Sequence, residues 1–216
     1  PPLEQALQEA GFLHMGTSAV GVWKTNAHGR DASDVEVQVD LLVPSAVSPG
    51  KGRRAARLPG HDDHAARKVD GLEGVLVDRA EMEIGSLEQD KDPRRVATKV
   101  AGPGALLVAK LFKISERKGT ARANDKDALD VLRILQGIET EVLAASIALM
   151  RADQRSSAAT ERATELLVEF FGTRGSEGAA MAARATQPLM NGDQVRLTCE
   201  VLASDLLAAL GDRLPS

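Results

Sequence analysis

Five charged side chains carry most of the chemistry this sequence can offer. Lys110, Lys113 and Arg117 stand at i, i+3 and i+7, so a helix would line them up as one basic stripe. Apolar residues surround Lys110 on both sides, Ala105-Leu106-Leu107-Val108-Ala109 before it and Leu111-Phe112 after it. A helix apolar on nearly every side is normally buried, and a cationic stripe on it could hold a triphosphate. Snorkelling of long side chains to the surface accounts for the same pattern. Asp127 and Asp130, at i and i+3 in the next helical stretch, could face that stripe. Acids early in a helix also simply complement its dipole, and Asp130 could instead pair with Lys126 or Arg133.

Asp40 is the other chemical candidate. Val35, Val37, Val39 and Leu41 share one strand face, and Glu36, Gln38 and Asp40 share the other. A carboxylate closing a central strand suits magnesium, which is held by one or two carboxylates plus substrate phosphates. Glu36 and Asp40 lie about 13 Å apart at strand rise, so they cannot chelate one ion together. A wet strand face is the alternative. The cluster Lys51-Gly52-Arg53-Arg54, with Arg57, Arg67 and Lys68, is a local basic patch that could grip nucleotide or RNA phosphates, or merely be solvated. His61-Asp62-Asp63-His64 lacks zinc-ligand spacing and any cysteine, so it is not read as a metal site. Gly175-Ser176 follows no strand and is not a phosphate-binding turn.

The elements that must position these residues follow from periodicity. Pro2–Ala10 reads as a helix stopped by Gly11, and Phe12–Lys24 has room for one or two strands. Val35–Val43 reads as a strand closed by Pro44. Ser45–Lys68 reads as a long loop, and the runs Val75–Val77 and Met82–Ile84 as short strands. Gly102-Pro103 starts a helix that continues through Arg117, and Asn124 or Asp125 caps another that ends at Gly137. Beyond that the pattern is helical: Glu139–Ala152, Ser157–Phe171, Ala179–Met190 and Asp193–Leu210, with the main break over Gly172–Gly178. The change in pattern places a domain boundary near residue 138, giving domains 1–138 and 139–216.

Composition bounds the rest. The chain has 216 residues, 43% hydrophobic and 27% charged, an ordinary globular balance. Aromatics are 2%, which argues against base stacking on aromatic platforms, and a net charge of −4 gives no global nucleic-acid signature. Cys199 is alone, so no intramolecular disulfide forms. No apolar run reaches the roughly 20 residues of a membrane span. A cytoplasmic protein without membrane contact is the economical expectation.

Three segments in order carry a resemblance: Val35-Glu36-Val37-Gln38-Val39-Asp40-Leu41-Leu42-Val43-Pro44; Ala105-Leu106-Leu107-Val108-Ala109-Lys110-Leu111 with Arg117; and Lys126-Asp127-Ala128-Leu129-Asp130-Val131-Leu132-Arg133. Together they resemble the AbiEii-type nucleotidyltransferases, the toxins of type IV toxin–antitoxin systems, and their mycobacterial Men-type relatives. The resemblance spans about half the chain. It implies an α/β (α+β) polymerase-β-like nucleotidyltransferase domain with a mixed sheet, followed by a helical C-terminal domain. It also implies transfer of a nucleotide from a nucleoside triphosphate to an acceptor, tRNA among the acceptors of such enzymes, with magnesium as cofactor and an antitoxin as protein partner. By position Asp40 becomes the third acid of the metal site, Lys110 the lysine near the triphosphate, and Asp127, or else Asp130, the acid of the last motif. Lys113, Arg117 and Asp130 fall in the nucleotide-binding set.

The sequence departs from that family in lacking the Gly-Ser turn and acid pair that precede the third acid. The natural polypeptide is therefore expected to extend before Pro1 and to carry those acids there. Residues 1–216 alone are expected to catalyse poorly, because metal-assisted transfer needs the metal to bridge phosphate and nucleophile. A non-catalytic nucleotide- or protein-binding module of the same fold is the alternative, and a helical interaction protein with a small sheet is a third reading.

Overall fold

The computed structural model describes residues 3–16, 19–28, 34–48 and 54–212, with the side chain of His28 left out. The protein is a mixed α+β chain that divides into two compact units, Pro1–Asp70 and Gly71–Ser216.

The first unit begins with α1 (Leu3–Glu9). Gly11 ends it with φ +81°, and the amide of Phe12 donates back to the Leu7 carbonyl at 2.9 Å, a left-handed helix stop. Strands β1 (Leu13–His14), β2 (Val22–His28) and β3 (Asp34–Asp40) form an antiparallel sheet in the order β1-β2-β3. Trp23 anchors this unit. It is 2% exposed and donates its indole N–H to the Ala65 carbonyl at 3.1 Å. The strand expected over Val35–Val43 is split. Leu41 lies between β3 and β4 (Leu42–Pro44), and β4 pairs in parallel with β5 (Arg67–Val69) in a separate two-stranded sheet. Gly21 makes the split geometry fit. At φ +75° its α-carbon packs so closely that an added Cβ would sit 2.6 Å from the Leu41 carbonyl oxygen and the Arg67 amide nitrogen. The long loop ends earlier than expected, because Lys68 and Ala56 return backbone bonds with Arg54 and Ala66.

The second unit carries one β-ribbon and six helices among the described residues. Val75–Val77 is not a strand; Glu73–Leu76 winds into a 3-10 turn after Gly71, whose amide donates to the Glu73 carboxylate at 2.8 Å. Strands β6 (Arg79–Gly85) and β7 (Arg95–Ala101) pair antiparallel along their whole lengths. Helices α2 (Pro103–Arg117), α3 (Asp125–Gly137), α4 (Thr140–Ala152), α5 (Ser157–Phe171), α6 (Glu177–Ala185) and α7 (Gly192–Ala209) share one core. Leu107 and Leu111 of α2, Leu132 of α3, Leu166 and Phe170 of α5 and Leu206 of α7 are all at most 1% exposed in it. No break falls near residue 138, because α2 and α3 bury their apolar faces against the later helices. Helix α6 stops at Ala185 rather than reaching Met190, since Pro188 removes an amide donor and disfavours helix in the residue before it. No helix among the described residues is long and apolar enough to cross a membrane.

Candidate functional site

The basic stripe and the two acids meet where α2 lies against α3. Apolar residues fix the contact: Ala105, Leu107, Val108, Leu111 and Ile114 on α2, and Ala128, Val131, Leu132 and Leu135 on α3, are buried in the same core. Lys110, Lys113 and Arg117 lie along the edge of that buried stripe, so α2 is less enclosed than its composition suggests; Leu106 is 44% exposed. Asn124 starts α3 by accepting from the Lys126 amide at 2.9 Å, which points Asp127 and Asp130 at the stripe.

Asp127 is the hub. Its Oδ1 lies 3.0 Å from Lys113 Nζ and 3.5 Å from Lys110 Nζ, and its Oδ2 accepts from Arg117 Nη1 at 3.0 Å. Its side chain is 5% exposed, whereas those of Lys110, Arg117 and Lys113 are 25%, 28% and 39% exposed. Asp130 Oδ2 accepts from Lys110 Nζ at 2.6 Å, and its Oδ1 lies 3.6 Å from Arg133 Nη1. Burial alone would raise the Asp130 pKa. The hydrogen bond and charge of Lys110, helped by Lys126 and Arg133, outweigh it and hold the carboxyl below its ordinary value. The arrangement is a half-exposed, net cationic ledge over a buried acid, able to receive an anion at the outer sides of the lysines and the arginine.

Asp40 does not share this setting. It ends β3, the edge strand of its sheet, is exposed, and accepts from Gln38 Nε2 at 3.0 Å. The expectation of a central strand is therefore corrected: β2 pairs with both β1 and β3, which leaves β3 outermost among the described strands. Neither Asp127 nor Asp40, as placed, offers a magnesium site. Both oxygens of Asp127 already face cations, Asp40 stands on an open edge, and no group of three or more metal-ligating side chains occurs among the described residues.

Residues 51–53 of the basic loop lie outside the described residues. His61 Nδ1 donates to Glu4 Oε2 at 2.8 Å, and the Asp62 amide donates to Glu4 Oε1 at 2.8 Å, so that segment ties a turn to α1. Burial pushes the Cys199 thiol up to about 11, which rules out a ready thiolate there.

Two residues, Asp78 and Lys118, make contacts that the sequence does not signal. Asp78 Oδ2 accepts from the Ala105 amide at 2.8 Å and so caps α2, while its carbonyl accepts from the Gly102 amide. The backbone at Gly102 packs so closely on the Asp78 carboxylate that a Cβ there would collide with it. Lys118 extends the basic stripe beyond Arg117, bonds Glu169 at 2.9 Å and lies 5.2 Å from the centre of the Phe170 ring. Comparison of the chain with protein-family models, with curated proteins and with solved structures finds no match.

Proposed function

We propose that this is a nucleotidyltransferase-type protein in which the ledge of Lys110, Lys113 and Arg117 receives the phosphates of a nucleoside triphosphate. The observation that supports this reading is the meeting of five residues, which belong to two of the three resembling segments and their flanks, at one seam between α2 and α3. Lys110 and Arg117 are preorganised by Asp130 and Asp127, so little reordering is needed when an anion arrives. In the transfer implied by the resemblance, an acceptor hydroxyl attacks the α-phosphorus and pyrophosphate leaves. Cations along the triphosphate offset the charge that develops on that leaving group. Magnesium would supply Lewis-acid chemistry in that transfer. A tRNA end as acceptor, a role as the toxin of a toxin–antitoxin pair and a cognate antitoxin belong to the same proposal.

The test is transfer of labelled nucleotide to tRNA by the complete natural polypeptide and by its Lys110→Ala variant. The variant is expected to be slower by about 100- to 1,000-fold, the size of effect seen when one electrostatic stabiliser of a transition state is removed. Equal rates would take Lys110 out of the site. A second reading, binding without transfer, is favoured by the open position of Asp40 and the saturated oxygens of Asp127. Nucleotide binding with no labelled product would establish it.

A further inference from the structure

The β6–β7 ribbon is a sheet with two strands and two open edges. Among the described residues its strands bond only each other; the base is closed by Gly102 donating to Asp78, and the tip by bonds within its own loop. One face alternates apolar side chains, and Met82, Ile84 and Val96 on it are 51%, 52% and 62% exposed. The other face carries Glu81 opposite Lys99, and Glu83 bonded to Arg95 at 2.7 Å. An isolated two-stranded ribbon is marginal in water, and three or more strands with an apolar face are needed for independent stability. An open edge with unpaired backbone groups invites another strand.

Charge and register select the occupant. A second copy approaching in antiparallel fashion across a two-fold axis perpendicular to the sheet keeps each side chain on its own face, so like faces must pair. Along β6, every such register that keeps most of the strand paired sets glutamate against glutamate: Glu81 on itself, Glu83 on itself, or Glu81 on Glu83. Along β7, centring on Ala97 opposes Arg95 to Lys99, and centring on Lys99 opposes that residue to itself. Centring on Thr98 avoids both. It sets Val96 against Val100, Ala97 against Lys99, and Arg95 against Ala101, with Thr98 facing its own copy on the axis. Like charges directly opposed are destabilising, whereas paired β-branched residues are favourable.

We infer that two copies of this chain join through their β7 edges, in antiparallel register about Thr98, to make one four-stranded sheet. The apolar faces of the two ribbons become one continuous face in that sheet.

Sedimentation of the full chain measures the assembly, and single-cysteine cross-linking measures the register. Cys199 is fully buried, so it leaves the readout clean. A dimer is expected, with Thr98→Cys giving rapid intermolecular disulfide on mild oxidation and Met82→Cys giving little. Ala97→Lys is expected to weaken the dimer about tenfold or more by opposing two lysine pairs. The same change favours the ribbon itself, because Ala97 sits opposite Glu83 within it. A monomer overturns the inference. So does a dimer that Thr98→Cys fails to cross-link, that Met82→Cys cross-links equally well, or that Ala97→Lys leaves intact.

Discussion

Asp127 and Asp130 divide the cations of α2 between them, and the division sets what each residue can do. Asp127 is nearly enclosed and touches three cations, so its removal leaves charges without their partner. Asp127→Asn is expected to destabilise the protein by on the order of 1–3 kcal/mol, read from urea unfolding. Lys113→Ala, at the most exposed of the three cations, is expected to cost less than about 1 kcal/mol. Equal effects from the two would show that Asp127 is not the hub. Asp130 gives a pH signature. Its carboxyl is held below the ordinary value in the folded state, so its contribution is present above the usual carboxylate range and is lost as pH falls through the folded value. Asp130→Asn is therefore expected to flatten the stability loss on acidification below about pH 4, the ordinary carboxylate range. An unchanged acid limb would remove Lys110 as its effective partner.

Helix α2 carries the stripe, and its start is fixed by a residue far away in sequence. Asp78 accepts from the Ala105 amide at the positive end of the helix. Asp78→Ala is expected to cost about 0.5–2 kcal/mol, the usual value of a lost helix cap. Thermal melts at fixed pH measure it, and an unchanged midpoint would mean that the Pro103 start suffices alone. This cap also shows where sequence reading stops. The i, i+3, i+7 spacing made the stripe legible, and Asn124 was legible as a cap because both are local patterns. For Asp130 the sequence left two alternatives, the α2 stripe or its own helix neighbours, and the structure gives it both Lys110 at 2.6 Å and Arg133 at 3.6 Å. The Asp78 cap, 27 residues from Ala105, leaves no local mark. Nor does strand order: alternation identified β3 as a strand, but nothing in its residues says that β2 pairs it on one side only. The apolar run Val75–Val77 reads as a short strand, but apolar runs this short do not fix the element, and Glu73–Leu76 winds into a 3-10 turn.

Across the whole molecule, Asp40 belongs to one compact unit, and Lys110, Lys113, Arg117, Asp127 and Asp130 belong to the other. The pattern changes from mixed strand and helix to all helix near residue 138, but cores form by burial between helices and not by uniformity of pattern. That is why α2 and α3 join α4–α7. The measurement that bears most directly on the proposed function is equilibrium titration of the full chain with each nucleoside triphosphate, for the wild type and for Lys110→Ala, with melting temperatures taken in parallel. Saturable binding by the wild type is expected, weakened about 10- to 100-fold in the variant, as befits the loss of one charge-assisted hydrogen bond, while the melting temperature moves by only a few degrees. No binding by the wild type, or equal affinity in the variant, would contradict a phosphate-receiving role for the ledge and leave the five residues as a clamp between two helices.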